Sequence, residues 1–300
     1  MNKRLVLKIL GATLLIEAAT MLPSYVVALV YHDPGDGEAL LKTILMMVFL
    51  GLPMWFLSKP RESNLRAREG FVIVVLAWLG LSGFGALPFV FSGYLPNYID
   101  ALFEAVSGFT TTGATVVTNF EHYPHGVMFW RSFTHWIGGM GVLVLTLALL
   151  PQLSSRTAHL IGGMGILVFM MAILRLEGGQ GIHLLRAESP GPSLSKIVPK
   201  MGDSAKILYL IYAALTALQF AVLLLAGMNP YDAAIHTFGT AGTGGFSNYG
   251  ASIAAFHSPL IEWIITFFMV LFGINFALFY RAITGDWRDA LRSEELRWYL

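Results

Sequence analysis

The chain has 300 residues, of which 56% are hydrophobic and 12% are charged, and its formal net charge is +1. Soluble domains carry roughly 25% charged residues, so this composition excludes an ordinary soluble domain and favours a chain surrounded by lipid. The sequence contains no cysteine, which excludes a disulfide framework and a thiolate metal site. The balanced charge does not indicate nucleic-acid binding, and no nucleic-acid partner is expected.

Six apolar segments are long enough, or nearly so, to cross a bilayer, which requires roughly 20 apolar residues. They are residues 9–30, 41–57, 71–91, 128–150, 207–227 and 259–280. The first follows a basic start, as a secretory signal would, but it is longer than the apolar part of a signal and contains Glu17. We therefore predict a retained membrane helix at the N-terminus.

The basic residues lie in alternate connections. Lys and Arg precede the first segment, follow the second, fourth and sixth, and are absent from residues 31–40, 92–127 and 228–258. Because cytoplasmic loops are enriched in Lys and Arg, six crossings with both termini in the cytoplasm are predicted. Lys42 and Arg131 lie at the outer ends of their segments, where we expect long side chains to snorkel to the headgroups.

The second and third outer connections are too apolar for ordinary loops. Each contains a helical pattern of about a dozen residues, too short to span a bilayer but able to enter it and return. A Thr/Gly cluster follows each of these helices. The clusters are Thr110-Thr111-Thr112-Gly113 and Gly242-Thr243-Gly244-Gly245. Asp100 and Asp232 are predicted to cap the two short helices.

The two connections align without a gap at one constant offset, which pairs Asp100 with Asp232 and Gly113 with Gly245. The sequence therefore contains two copies of one unit, each made of a span, a re-entrant helix, a Thr/Gly strand and a second span. A repeated unit that cannot close a pore alone indicates assembly around an axis. The predicted fold is an all-α integral membrane protein with repeated helix–re-entrant pore loop–helix units, as in potassium channels, with six spans and two pore half-helices.

The clusters have the chemistry of a cation site. Non-helical backbone at membrane depth is tolerated where it is buried in protein or lines a wet cavity. Carbonyl oxygens there can replace the hydration shell of a cation, and the C-terminal end of each half-helix adds partial negative charge. We therefore predict that the eight cluster residues bind ions in a selectivity filter. The alternatives are ordinary turns, or a nucleotide loop at residues 239–245, which lacks the required Lys-Ser/Thr.

Glu104 and Arg131 leave several interpretations open. Arg131 faces the outer vestibule and tunes cation occupancy, or it snorkels, or it pairs with an acid such as Glu104. Glu104 either attracts cations in the vestibule or bonds its neighbours in the half-helix. No catalytic constellation occurs in the sequence, so an enzyme is not predicted, and no covalent cofactor is expected.

Four stretches resemble the Trk/Ktr/HKT superfamily of potassium transporters, and its TrkH branch most closely. They are residues 100–117 (DALFEAVSGFTTTGATVV), 129–144 (FWRSFTHWIGGMGVLV), 186–193 (RAESPGPS) and 244–277 (GGFSNYG…FGINFA). The resemblance implies potassium uptake across the bacterial cytoplasmic (inner) membrane, with Gly113 and Gly245 as the key filter glycines. It also implies four units around one pore, a homodimer in the lipid bilayer, and a cytosolic nucleotide-binding regulatory ring.

The sequence departs from the pattern of this superfamily in two ways. It ends at Leu300 after the second unit, and residues 138–161 and 162–185 form a tandem duplication whose copies are equally long and both begin with Gly-Gly-Met-Gly. The predicted divisions are two leading helices (1–58), a first unit (59–157), a cytoplasmic linker with the duplication (158–206) and a second unit (207–300). The second copy is predicted not to cross the membrane.

Because two filter strands do not complete a ring of four, other functions stay open. The chain is alternatively a truncated, non-conducting fragment, or a half-channel that needs a second copy to complete the pore. A substrate transporter with half-helix binding sites would have inverted repeats, whereas these two units share one orientation.

Overall fold

A computed structural model describes residues 3–58, 67–149, 198–284, 288 and 292–299. Every regular element within these residues is a helix, which confirms the all-helical class. Most of the predicted linker, and with it the second copy of the duplication, lies outside the described residues.

The helices follow the same long–short–long order twice after a leading pair. In chain order they are α1 (Lys3–Tyr31), α2 (Asp36–Phe56), α3 (Ala67–Gly85), α4 (Leu87–Phe91), α5 (Tyr98–Phe109), α6 (His125–Leu149), α7 (Val198–Leu225), α8 (Pro230–Ala241), α9 (Pro259–Gly273), α10 (Phe276–Thr284) and α11 (Glu294–Tyr299). Short 3₁₀ helices at Phe120–His122 and Ser252–Phe256 follow the two Thr/Gly clusters.

Three helices among the described residues are long and apolar enough to cross a membrane: α1, α2 and residues 207–225 of α7. Val75–Phe91 and Pro259–Gly273 are shorter apolar stretches. Large apolar side chains on these helices point outward, for example Phe49 at 75% exposure and Trp263 at 74%. Lipid would cover such a surface without a hydration penalty. The count of six spans stays a prediction.

Two of the predicted spans are interrupted. Residues 71–91 divide at Ala86 into α3 and α4, because Pro88 in the first turn of α4 has no N–H to continue the preceding helix. Residues 259–280 divide at Ile274, which has an extended conformation (φ −71°, ψ 140°). The Tyr299 hydroxyl donates to the carbonyl oxygen of Val270 at 3.2 Å. A side chain thus supplies a hydrogen-bond donor to a backbone carbonyl at the end of α9.

The leading pair α1–α2 packs closely through two glycines. A Cβ on Gly11 would lie 2.8 Å from the carbonyl oxygen of Gly51, and a Cβ on Gly51 would lie 2.9 Å from that of Gly11. Small residues let membrane helices approach to this distance. Buried residues of both helices share one apolar core with Phe109 and Trp130 of the first unit.

Two acids, Asp33 between α1 and α2 and Asp36 at the start of α2, fix the start of α6. The backbone N–H of His125 donates to Asp33 Oδ2 at 2.7 Å, and those of Gly126 and Val127 donate to Asp36 at 2.6 and 3.0 Å. The first N–H groups of a helix have no partner inside the helix and carry partial positive charge, so carboxylates there are stabilising. The leading pair therefore anchors the central helix of the molecule.

Candidate ion-binding site

The two short helices begin at equivalent asparagines. The side-chain oxygen of Asn97 accepts from Ile99 N at 3.0 Å, and that of Asn229 accepts from Asp232 N at 2.8 Å. The prediction that Asp100 and Asp232 are the caps is therefore wrong. Each lies three residues after the capping asparagine, inside the first helical turn, where an acid favours the helix dipole instead.

The two Thr/Gly clusters have the same backbone conformation at equivalent positions of the repeat. Thr111 and Thr243 have φ of 55° and 56°, and Gly113 and Gly245 have φ of 75° and 77°. Positive φ is easy for glycine but uncommon for a β-branched residue such as threonine. The sequence repeat is thus also a repeat of local structure, with Gly113 equivalent to Gly245.

The hydrogen bonds that end the two half-helices repeat at the same offset. Backbone N–H groups of Thr110, Thr111 and Thr112 donate to the carbonyl oxygens of Val106, Gly108 and Ser107, and those of Gly242, Thr243 and Gly244 donate to Phe238, Thr240 and Gly239. All six distances lie between 2.9 and 3.1 Å. Each cluster folds back on its own half-helix and satisfies the last carbonyls, as in a helix C-terminal cap.

The two clusters touch each other. A Cβ on Gly113 would overlap the carbonyl oxygen of Gly244, so the first cluster approaches the second closely enough to exclude any side chain. The space around Gly245 is open within 4 Å among the described residues. The structure therefore brings the eight predicted site residues together as two adjacent loops.

Two neighbouring stripes of α6 contact the two units. The stripes are Trp130, Thr134 and Gly138 on the side of the first unit, and Arg131, His135 and Gly139 on the side of the second. A Cβ on Gly138 would overlap the carbonyl oxygen of Phe109, and one on Gly139 would lie 2.8 Å from Gly242 Cα. Residues four apart share one helix face, so one helix positions both loops.

Arg131 and Glu104 form a buried ion pair beside the loops. Arg131 Nε donates to Glu104 Oε1 at 2.6 Å, and the two side chains are 1% and 0% exposed. The pairing alternative is therefore confirmed. Snorkelling of Arg131 and placement of either charge in an open vestibule are wrong, because residues that follow the two Thr/Gly clusters, namely Phe120, Phe246 and Ser247, cover this part of α6.

The segments that follow the two clusters meet at Glu121. Its Oε1 accepts from the backbone N–H of Gly250 at 3.2 Å. Backbone hydrogen bonds from Glu121 itself and from Gly250 hold the pKa of this exposed carboxyl below its ordinary value. Burial and a hydrogen bond to Asp232 raise the pKa of Tyr249 to about 12, so its hydroxyl stays a donor. An ionised acid thus lies where the segments of the two units meet.

Several neighbours of the clusters were not singled out from the sequence. His135 stacks on Phe246 with 3.8 Å between ring centroids, and a Cβ on Gly244 would overlap the His135 ring. His236 Nε2 lies 3.0 Å from Ser247 Oγ. The repeat offset was a usable signal, because it pairs His236 with Glu104 and Ser247 with Thr115.

The comparison with protein families decides the affiliation of the chain. A family described as "TrkH: Cation transport protein" matches residues 36–160 and 154–293. The chain belongs to the TrkH cation transport family. The two stretches that match the TrkH family overlap at residues 154–160, within the first copy of the tandem duplication.

Individual TrkH relatives are similar over nearly all of the chain. The Trk system potassium uptake protein TrkH of Escherichia coli (strain K12) is 38% identical over 297 residues, which cover 96% of this chain and 56% of the relative. The Trk system potassium uptake protein TrkG of the same organism is 33% identical over 300 residues, covering 99% of this chain and 57% of the relative.

A solved structure agrees with the fold. The crystal structure of the potassium transporter TrkH from Vibrio parahaemolyticus matches with a TM-score of 0.73 and 33% identity, over 95% of this chain and 53% of that chain. The chain thus spans about half the length of the relatives that it matches.

Proposed function

We propose that the chain takes part in potassium uptake across the bacterial cytoplasmic membrane, through a pore whose selectivity filter includes its two Thr/Gly loops. The ion ligands are Thr110, Thr111, Thr112, Gly113, Gly242, Thr243, Gly244 and Gly245. The observation that carries the proposal is the contact between two loops of one conformation, Gly113 against Gly244. The relatives' names, which specify potassium uptake, supply the ion.

The chemistry follows from the backbone. A cation enters a filter when oxygen atoms replace its water at little net cost, and carbonyl groups held in irregular backbone can do so. Thr111 and Thr243 at positive φ are strained by about 1–3 kcal/mol each, and such strain persists where the surrounding structure imposes it. Two equivalent strained residues in adjacent loops favour a functional conformation over an ordinary turn.

The proposal also covers the membrane topology, the division into pore units and the partners. Six crossings would place both termini in the cytoplasm and both re-entrant loops on the outer side, with units at residues 59–157 and 207–300 after the leading pair at 1–58. A complete pore would need four such loops around one axis. A homodimer and a cytosolic nucleotide-binding ring are the proposed partners, and K⁺ is the transported ion with no covalent cofactor.

Transport is favoured over the non-conducting and half-channel alternatives because the relatives that carry the same two units are named as potassium uptake proteins. The test is expression of the natural gene that encodes this sequence in a bacterial strain that lacks its own potassium uptake. We expect growth at limiting K⁺ and uptake of radiolabelled rubidium. Protein that reaches the membrane without restoring either would contradict the proposal.

A further inference from the structure

We propose that Glu104 and Arg131 are positioning residues that hold the two filter strands in register and thereby set the discrimination between K⁺ and Na⁺. This inference rests on the proposed function of the loops. It is carried by the contacts of the pair, which reach from the half-helix of the first unit to the strand of the second.

Glu104 holds the strand that leaves the first Thr/Gly cluster. Its Oε1 accepts from Thr115 Oγ1 at 2.8 Å, and its Oε2 accepts from Val116 N at 3.1 Å. Thr115 Oγ1 in turn accepts from Val117 N at 3.0 Å. The carboxylate therefore fixes Thr115 and Val116, which begin two positions after Gly113.

Arg131 extends this bracing to the second unit. Its Nε donates to Glu104, and its Nη1 donates to the carbonyl oxygen of Ser247 at 3.1 Å. The guanidinium carbon lies 3.5 Å from the centroid of the Phe246 ring. Phe246 directly follows Gly245, so the guanidinium contacts the second strand just beyond its cluster and reaches the first strand through Glu104. Arginine suits this position because its rigid fork donates in several directions and stacks on aromatic faces.

The equivalent position in the second unit is braced without an ion pair. The repeat aligns His236 with Glu104 and Ser247 with Thr115. His236 Nδ1 lies 2.8 Å from the carbonyl oxygen of Asp232, which can only accept, so we assign the proton to Nδ1 and the acceptor role toward Ser247 to Nε2. These bonds stay within one unit. The ion pair of the first unit differs from them, because its Arg131 also contacts Ser247 and Phe246 of the second unit.

A role in geometry explains a buried ion pair better than a role in stability. The desolvation of two buried charges largely cancels their attraction, so a well-packed apolar pair is often as stable or more stable. Ion discrimination depends on the number and the positions of the coordinating oxygens. Loss of the pair would therefore relax the spacing of the strands more than it would unfold the chain.

The test compares neutral replacement of the whole pair with a matched control. The Glu104→Gln/Arg131→Met double variant leaves no uncompensated buried charge. Arg131→Lys keeps the charge but cannot contact Glu104, Ser247 and the Phe246 ring together. The control is Glu38→Gln, because Glu38 Oε1 also lies 2.6 Å from its partner, Lys42 Nζ, but this pair is exposed.

Uptake of K⁺ is measured against competing Na⁺ in cells carrying each variant, and thermal melting is measured on the purified proteins. We expect the double variant to melt close to the wild type and to lose K⁺ over Na⁺ preference by about tenfold, which corresponds to about 1.4 kcal/mol. Arg131→Lys should fall between the double variant and the wild type, and Glu38→Gln should match the wild type.

Unchanged ion preference in a folded double variant would overturn the inference. If the double variant does not fold, Arg131→Lys decides in its place: reduced preference supports the inference and wild-type preference overturns it. Equal loss of preference in Glu38→Gln would also overturn it, because a general effect of outer charge would then be responsible. Absence of K⁺ uptake in the wild type would instead contradict the proposed function.

Discussion

Gly113 of the first loop lies against the carbonyl oxygen of Gly244 in the second, with no room for a side chain between them. The contact joins segments that are far apart in the sequence and equivalent in conformation. It makes the two loops one structural element, and it gives their glycines different tolerances to substitution.

The first prediction separates backbone strain from steric overlap. Gly113→Ala would place a Cβ on positive-φ backbone, which costs roughly 1–2 kcal/mol, and into Gly244, where overpacking adds roughly 1–3 kcal/mol. Gly93→Ala is the matched control, because Gly93 has a similar φ of 79° and open space around it. Melting of the purified proteins should show the larger loss for Gly113→Ala. Equal losses would indicate that the loops are not in contact.

Gly245 tests the proposed arrangement of four loops. The described residues leave its surroundings open, although its φ of 77° matches that of Gly113. If a further loop packs on the second as the second packs on the first, Gly245→Ala should reduce stability and K⁺ uptake as much as Gly113→Ala does. A variant that behaves like Gly93→Ala would contradict a continued ring on that side.

The anchoring of α6 by the leading pair gives a stability prediction. Asp36 is fully buried and accepts from Gly126 N and Val127 N. Asp36→Ala leaves both donors without their partner and should destabilise the protein by about 2 kcal/mol. Glu38→Gln, two residues later on the exposed side, should stay within about 0.5 kcal/mol. Denaturation of the two purified variants checks the difference, and similar values would argue against the anchor.

The exposed acid Glu121 gives a prediction about rate and pH, under the proposed topology that places it on the outer side. Glu121→Gln should slow K⁺ uptake into vesicles at low ionic strength and have little effect at about 1 M salt, where screening acts within about 3 Å. Because the pKa of Glu121 lies below its ordinary value, the carboxylate and its contact with Gly250 are present at neutral pH and are lost as the pH falls through that lowered pKa.

The difference between Glu121→Gln and the wild type should therefore persist when the outer pH is lowered from 7 to about 5, above the ordinary carboxyl pKa. A difference that disappears between these values would contradict the lowered pKa. A salt-independent difference would contradict the electrostatic role.

The sequence by itself determined the class of the molecule, the register of its repeat and its resemblance. The composition and the length of each apolar segment indicate whether water or lipid surrounds it. The repeat can be seen by aligning the sequence with itself, so the pairing of Gly113 with Gly245 follows from the residue order alone. The helix caps were misassigned because an aspartate and an asparagine of the same turn are both good capping residues.

The tertiary structure alone decided which distant residues meet. Arg131 and Ser247 are 116 positions apart, and Asp36 and Gly126 are 90 positions apart. No local pattern encodes such contacts, because they depend on how α6 crosses the half-helices and the leading pair. Burial then changed the expected behaviour of Arg131: a side chain that would snorkel from an isolated helix is covered here, and its charge is balanced by Glu104 instead.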